Sequence, residues 1–243
     1  KGYPGQPNLN TLEACVVHDD LENAGSWESS NPLLNRIHQN IRWGVRGNYR
    51  SIPTDCPHRD ERQGWLGDRS AASTGEAFLF HTAALYAKWL QDMEDAQKDN
   101  GSVPDVCPPY WPIYSDNVTW PSSTVLIPEH LLTQFGDRAI IARHYPGMKR
   151  WINYMAGFIQ DDLMPRDTYG DWCVPPEDPK LIHSQDPARK THPTLLGTAY
   201  YYHCLNLMSR YARMLGQLED AGRFDELAAR MKSAFNRRFF SPE

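Results

Sequence analysis

Phe78-Leu79-Phe80-His81-Thr82-Ala83-Ala84-Leu85-Tyr86-Ala87-Lys88-Trp89-Leu90-Gln91-Asp92-Met93 is the run from which the fold is read. Phe78, Leu79, Ala83, Leu85, Tyr86, Trp89, Leu90 and Met93 recur with a period of about 3.6, as on one face of a helix. The pattern predicts a single helix over about Asp68 to Gln97. Upstream, Ser30-Asn31-Pro32 joins a capping side chain to a proline suited to the first helical position, and Leu33, Ile37, Ile41 and Val45 follow as one apolar stripe. Downstream, a helix is predicted over about Ser122 to Phe135, with Ser122 or Ser123 as cap and Pro128 kinking it. Asp137 opens another, which Pro146 is expected to divide. Pro193-Thr194 introduces a helix to about Leu215, and Phe224, Leu227, Ala228, Met231 and Phe235 mark a last one.

The expected class is therefore all-α, about six helices, with an irregular or strand-containing lead-in over residues 1–30 that holds Gly2, Pro4, Gly5, Pro7 and Gly25. Long polar and aromatic loops at 51–67, 98–121 and 160–192 alternate with short links such as Gly136-Asp137 and Gly216 to Gly222. Helical hairpins joined in that way gather their long loops at one end, where a site forms.

Composition narrows the function. The 243 residues carry a net charge of −5, which argues against a nucleic-acid partner. Hydrophobic residues at 40% and charged residues at 23% fit a packed globular domain, not a disordered chain. No apolar run approaches the roughly 20 residues that span a bilayer, so no membrane insertion is expected. The chain starts at Lys1 with no leader, which reads as a processed or excised segment. Its five cysteines form no C-x-x-C pair, and a disulfide framework is not expected. Cys173 lies in no nucleophile motif and reads as a buried, inert thiol.

The densest chemistry lies in Asp55-Cys56-Pro57-His58-Arg59-Asp60-Glu61-Arg62-Gln63-Gly64-Trp65-Leu66-Gly67-Asp68, where four carboxylates, two guanidiniums and one Trp fall within fourteen residues. Carboxylates flanked by arginines and an indole can be shifted in pKa either way, as acid/base work requires. A solvated, salt-bridged loop has the same composition. Asp55, Cys56, His58 and Asp60 offer zinc-ligating atoms, but their spacing fits no familiar zinc pattern, and neither a metal nor another cofactor is expected.

This run resembles the D-C-P-x-R-D-E-R-x-G-W-x-G-D signature of the bacterial alpha-L-rhamnosidases of glycoside hydrolase family 78. Similarity continues in Phe78 to Trp89, Val103-Pro104-Asp105, Tyr169-Gly170-Asp171-Trp172 and Thr198 to Tyr202, and so covers most of the chain. Even Asn23-Ala24-Gly25-Ser26-Trp27 to Ile37 is similar to a join between a preceding β domain and the catalytic helices.

The resemblance implies part of an (α/α)6 barrel, with residues 1–30 leading in from a β domain and 31–243 forming the N-terminal portion of the catalytic domain. It implies inverting hydrolysis of terminal α-L-rhamnose from glycosides or polysaccharide side chains, with Glu61 as general acid. Asp55, Arg59, Trp65 and Asp68 match positions lining the sugar subsite; Trp111, Trp120 and Trp172 sit in long loops, where subsite lining and loop packing both stay open, and Trp120 and Trp172 are taken as substrate contacts.

The general base of the family lies late in the barrel and is expected beyond Glu243, in the remaining half of the parent chain, which leaves this segment inactive by itself. Glu129, Glu177 and Asp178 are the in-chain alternatives, none in a matching motif. Trp120-Pro121-Ser122-Ser123 stands where relatives commonly show W-G-D-A, so altered sugar contacts are expected around Ser122. A noncatalytic rhamnose-binding relative and a different (α/α)6 glycosidase are the competing classes. Family members occur both exported and in the cytoplasm, and a periplasmic or secreted location is the expectation.

Overall fold

The computed structural model describes residues 4–240, apart from the side chain of Ser70; the chain ends on either side, where the lead-in begins and the expected catalytic portion closes, lie outside the described residues. Seven α-helices and no strands occur among the described residues: α1 Pro32–Gly47, α2 Leu66–Glu76, α3 Ala83–Asp95, α4 Ser123–Phe135, α5 Arg138–Ala156, α6 Pro193–Met214 and α7 Leu218–Phe239. The lead-in is irregular, with one 3-10 turn at Leu9–Thr11. No helix is long and apolar enough to cross a membrane.

Helix starts follow local chemistry. The Asn31 side chain accepts from the Leu33 N–H at 2.9 Å, with Pro32 beside it. Asp137 accepts from Ile140 N–H at 3.1 Å, and His192 Nδ1 accepts from Thr194 N–H at 3.1 Å. These contacts satisfy amide donors that a helix N-terminus leaves free. The two tight links each turn on a glycine in the left-handed region: Gly136 between α4 and α5 and Gly216 between α6 and α7, both at φ 71°. That conformation favours glycine.

Two helix expectations are corrected. The single helix over Asp68 to Gln97 is two, α2 and α3, broken at residues 77–82. There the lead-in pairs with the chain: Ala24 N–H donates to Leu79 O at 3.1 Å and His81 N–H to Glu22 O at 2.9 Å. This long-range pairing overrides the local period and leaves Phe78 exposed, at 67%. Pro146 does not divide α5, which runs unbroken across it. The one missing N–H is offset by the burial of Ile141, Met148, Trp151, Ile152 and Met155 along the same helix. Ser122 and Ser123 precede and open α4 without a side-chain cap; their hydroxyls donate instead to Thr119 O at 2.7 Å and Leu66 O at 2.8 Å.

One core, with Trp89, Trp151, Tyr201, Tyr211, Met208 and Met231 among its most buried members, joins α3 to α7. Helix α1 stands apart from it. Of its apolar stripe Val45 packs inward, on a small cluster of Tyr49, Leu79, Phe80 and Leu85, while Leu33, Ile37 and Ile41 stay exposed. Cys173 is exposed, not buried as expected, because it lies on an outward turn of the 157–192 loop. The three long loops are what the helices position, and they meet at one place.

Candidate active site

A cavity of about 180 Å³ receives residues from all three long loops. The first contributes Asp55, Arg59, Glu61 and Trp65, the opening turn of α2 adds Asp68, the second loop supplies Trp120, and the third supplies Tyr169 and Trp172. The expected acid Glu61 and the expected sugar contacts Asp55, Arg59, Trp65, Asp68, Trp120 and Trp172 thus line one cavity.

The first loop is held by backbone contacts that its glycines permit. Gly64 O accepts from Cys107 N–H at 2.8 Å, and Leu66 N–H donates to Asp105 O at 3.0 Å. A Cβ on Gly64 would come within 2.0 Å of Cys107 O, and one on Gly67 within 2.2 Å of the Trp120 ring. Only glycine lets the second loop and the Trp120 indole approach this closely.

Glu61 is gripped from two sides. Arg59 Nε donates to its Oε2 at 2.7 Å, and Trp65 Nε1 donates to its Oε1 at 3.0 Å. Asp55 Oδ1 accepts from Gln63 N–H at 2.8 Å, and its Oδ2 lies 3.6 Å from Arg59. Burial pushes the Glu61 pKa up, but the contacts from Arg59, Trp65 and Asp55 outweigh it, and the net direction is down. Glu61 is thus a carboxylate at neutral pH.

Asp68 goes the other way. It is exposed overall, yet desolvation of its carboxyl inside the cavity raises its pKa against the pull of Arg69, with Asp55 and Glu61 adding to the rise.

Tyr169 is the residue sequence reading missed. Its ring centroid lies 4.6 Å from that of Trp120, 5.8 Å from Trp172 and 6.3 Å from Trp65, so it sits at the centre of the aromatic wall. Its hydroxyl donates to the buried Asp105 at 3.2 Å, and burial, with Asp105 beside it, pushes its pKa up to about 12. The available signal was its place in Tyr169-Gly170-Asp171-Trp172, beside a Trp already counted.

Ser122 does not line the cavity; it is fully buried and bonded to Thr119, so its contacts are with the scaffold. Glu129, Glu177 and Asp178 lie elsewhere as well. Glu129 pairs with Arg210, Glu177 with Arg189, and Asp178 accepts from Lys180 N–H at 2.9 Å.

Among the described residues, those that could hold a metal are Asp55, Cys56 and Glu61, whose ligand atoms lie within 4.8 Å of one another. Both carboxylates are already engaged by Arg59, Trp65 or Gln63, and the guanidinium occupies the place of a cation. We assign no metal to the cluster.

Helical hairpins thus bring carboxylates and a wall of packed aromatics into one pocket. The chain belongs to the family described as the bacterial alpha-L-rhamnosidase six-hairpin glycosidase domain, whose pattern matches residues 22–243. It is 34% identical over 235 residues to a Streptomyces avermitilis protein named alpha-L-rhamnosidase, covering 96% of this chain and 21% of that one.

Two solved structures share the fold. The alpha-L-rhamnosidase from Dictyoglumus thermophilum superposes with a TM-score of 0.86 at 39% identity, over 99% of this chain and 26% of the other. The Streptomyces avermitilis alpha-L-rhamnosidase complexed with L-rhamnose gives a TM-score of 0.85 at 33% identity, over 98% and 22%. The chain thus spans between about a fifth and a quarter of the length of these relatives. The all-helical architecture is that of a fragment of their (α/α)6 barrel.

Proposed function

We propose that the protein carrying this chain hydrolyses terminal α-L-rhamnosides with inversion, and that residues 31–243 are the N-terminal portion of its catalytic domain, entered through residues 1–30 from a preceding β domain. The observation that carries the reading is the junction of Glu61 with the Trp65, Trp120, Tyr169 and Trp172 wall in one small cavity. A sugar ring offers an apolar C–H face to such aromatics and hydroxyls to Asp55, Arg59 and Asp68. The family and the rhamnose complex of a relative support the substrate class.

In the proposed reaction the Glu61 carboxyl gives its proton to the glycosidic oxygen as the C1–O bond breaks, and the leaving group departs as an alcohol. Water attacks C1 from the opposite face and loses its proton to a second carboxylate. Inversion needs that carboxylate roughly 6.5–9.5 Å from the acid, with a water between. Asp55 is too close, its ligand oxygen being within 4.8 Å of that of Glu61. We place the base, as the family resemblance implies, in chain outside residues 1–243, and this segment alone is expected to be inactive.

Glu61 must also be protonated before it can act. Substrate binding supplies the means: sugar hydroxyls that recruit Arg59, whose side chain is 57% exposed, release the Glu61 carboxylate to the desolvation that raises its pKa.

The ionised state of Glu61 favours one second reading, a rhamnose-binding protein without turnover. Proton NMR of the intact protein with methyl α-L-rhamnoside separates the two. Hydrolysis with inversion shows β-L-rhamnose first, before mutarotation; first-formed α-L-rhamnose contradicts inversion, and binding without release supports the second reading.

A further inference from the structure

Glu61 lines a second cavity as well as the first. This neighbour is about 650 Å³, against about 180 Å³ for the cavity with Trp120 and Tyr169. Its lining includes Arg62, Gln63, Pro108, Tyr110 and Trp111. Arg62 stands at the lip with φ 50°, a left-handed conformation that a residue with a side chain adopts at a cost. It turns the chain sharply between Glu61 and Gln63. Trp111 meets Trp65 edge to face at 6.2 Å between ring centroids, so the two cavities share an aromatic partition next to the Glu61 carboxylate.

From the reading that Glu61 protonates the scissile oxygen, a geometric consequence follows. The oxygen joins two halves of the substrate, and the acid that reaches it has one half on either side. We infer that the larger cavity is the leaving-group subsite and that it takes a hydroxylated sugar ring.

The chemistry of the lining selects that ring over a flat aromatic aglycone. Trp111, Tyr110 and Pro108 give an apolar platform, with Tyr110 81% exposed. The Arg62 guanidinium, held 3.0 Å from Asp60, stands beside it with hydrogen-bonding capacity facing solvent. A purely apolar aglycone would strip water from these charges and return nothing, whereas sugar hydroxyls replace that water. The larger volume also exceeds what the methyl group of a simple glycoside can use.

The test compares three substrates in the intact protein: methyl α-L-rhamnoside, phenyl α-L-rhamnoside, and a disaccharide with α-L-rhamnose linked to glucose. Trp111→Ala and Tyr110→Ala are measured against the unaltered protein; Tyr110 lines the larger cavity and not the smaller, so its variant guards against indirect damage through Trp65, the partner of Trp111. Tyr110→Ala is expected to lower kcat/KM for the disaccharide by about 3- to 10-fold, the range of one lost stacking contact, while leaving the methyl rhamnoside within about twofold; Trp111→Ala, which also removes the ring against Trp65, is expected to lower both, the disaccharide more. An equal fall with the methyl and disaccharide substrates, or no fall with the disaccharide, overturns the subsite. A fall confined to the phenyl rhamnoside overturns the assignment to a sugar. If the unaltered protein releases rhamnose from none of the three, the hydrolase reading fails first and takes the subsite with it.

Discussion

The indole N–H of Trp65 donates to Oε1 of Glu61 at 3.0 Å while Arg59 holds Oε2, so one carboxylate carries two charge-stabilising contacts. Both contacts lower the Glu61 pKa. In its proposed role of general acid Glu61 works only when protonated, so each contact is expected to limit activity as pH rises.

Removing the indole donor should therefore widen the active range. Trp65→Phe keeps a ring in the wall but not the N–H, and the Glu61 pKa should rise. The sign is fixed: kcat/KM falls as pH climbs through the pKa of the acid in the free protein, so a higher pKa moves that alkaline limb to higher pH. A pH profile on a methyl rhamnoside reads it, and a limb displaced to lower pH contradicts the assignment. If Asp68→Asn abolishes the limb and Trp65→Phe leaves it in place, Asp68, whose pKa is raised, is the acid instead.

Gly67→Ala should loosen the aromatic wall. The new methyl would sit 2.2 Å from the Trp120 ring, so the indole must move. Overpacking of this kind costs about 1–3 kcal/mol. Urea denaturation should show that loss, and rhamnose affinity should drop with it; a variant that matches the unaltered protein in both would show that Trp120 is not confined there.

Glu76→Ala should be more damaging still. Glu76 accepts from Tyr49, Tyr86 and Arg69 in a buried cluster, and Arg69 also donates to Thr54 O at 2.6 Å, one residue before Asp55. Removing the carboxylate leaves a buried guanidinium without its counter-charge, a loss of about 3–5 kcal/mol. The midpoint of urea unfolding should fall accordingly, and a change under 1 kcal/mol, roughly the worth of an exposed pair, would mean that the cluster is solvated.

Much of this was legible because it is local. Asn31-Pro32, Asp137 and Pro193 announce helices through caps that reach only a few residues, and their helices begin where those caps stand. The alternation of long and short links likewise shows in the spacing of periodic segments, and the long loops do converge. The break at residues 77–82 was not legible, since it depends on pairing with Glu22 and Ala24 across a long stretch of chain. Nor does a tyrosine in a loop announce that three indoles will surround it, as they do Tyr169. The ionised state of Glu61 depends on where Arg59 points, which composition leaves open between a raised and a lowered pKa.

The most direct measurement is turnover of methyl α-L-rhamnoside by the intact protein and its Glu61→Gln variant, with rhamnose binding measured alongside. The amide preserves shape and removes the titratable proton. The poor leaving group makes protonation indispensable, so kcat should fall roughly 100- to 10,000-fold while rhamnose affinity stays within a few-fold. Turnover by Glu61→Gln close to that of the unaltered protein, with binding intact, would contradict Glu61 as the proton donor.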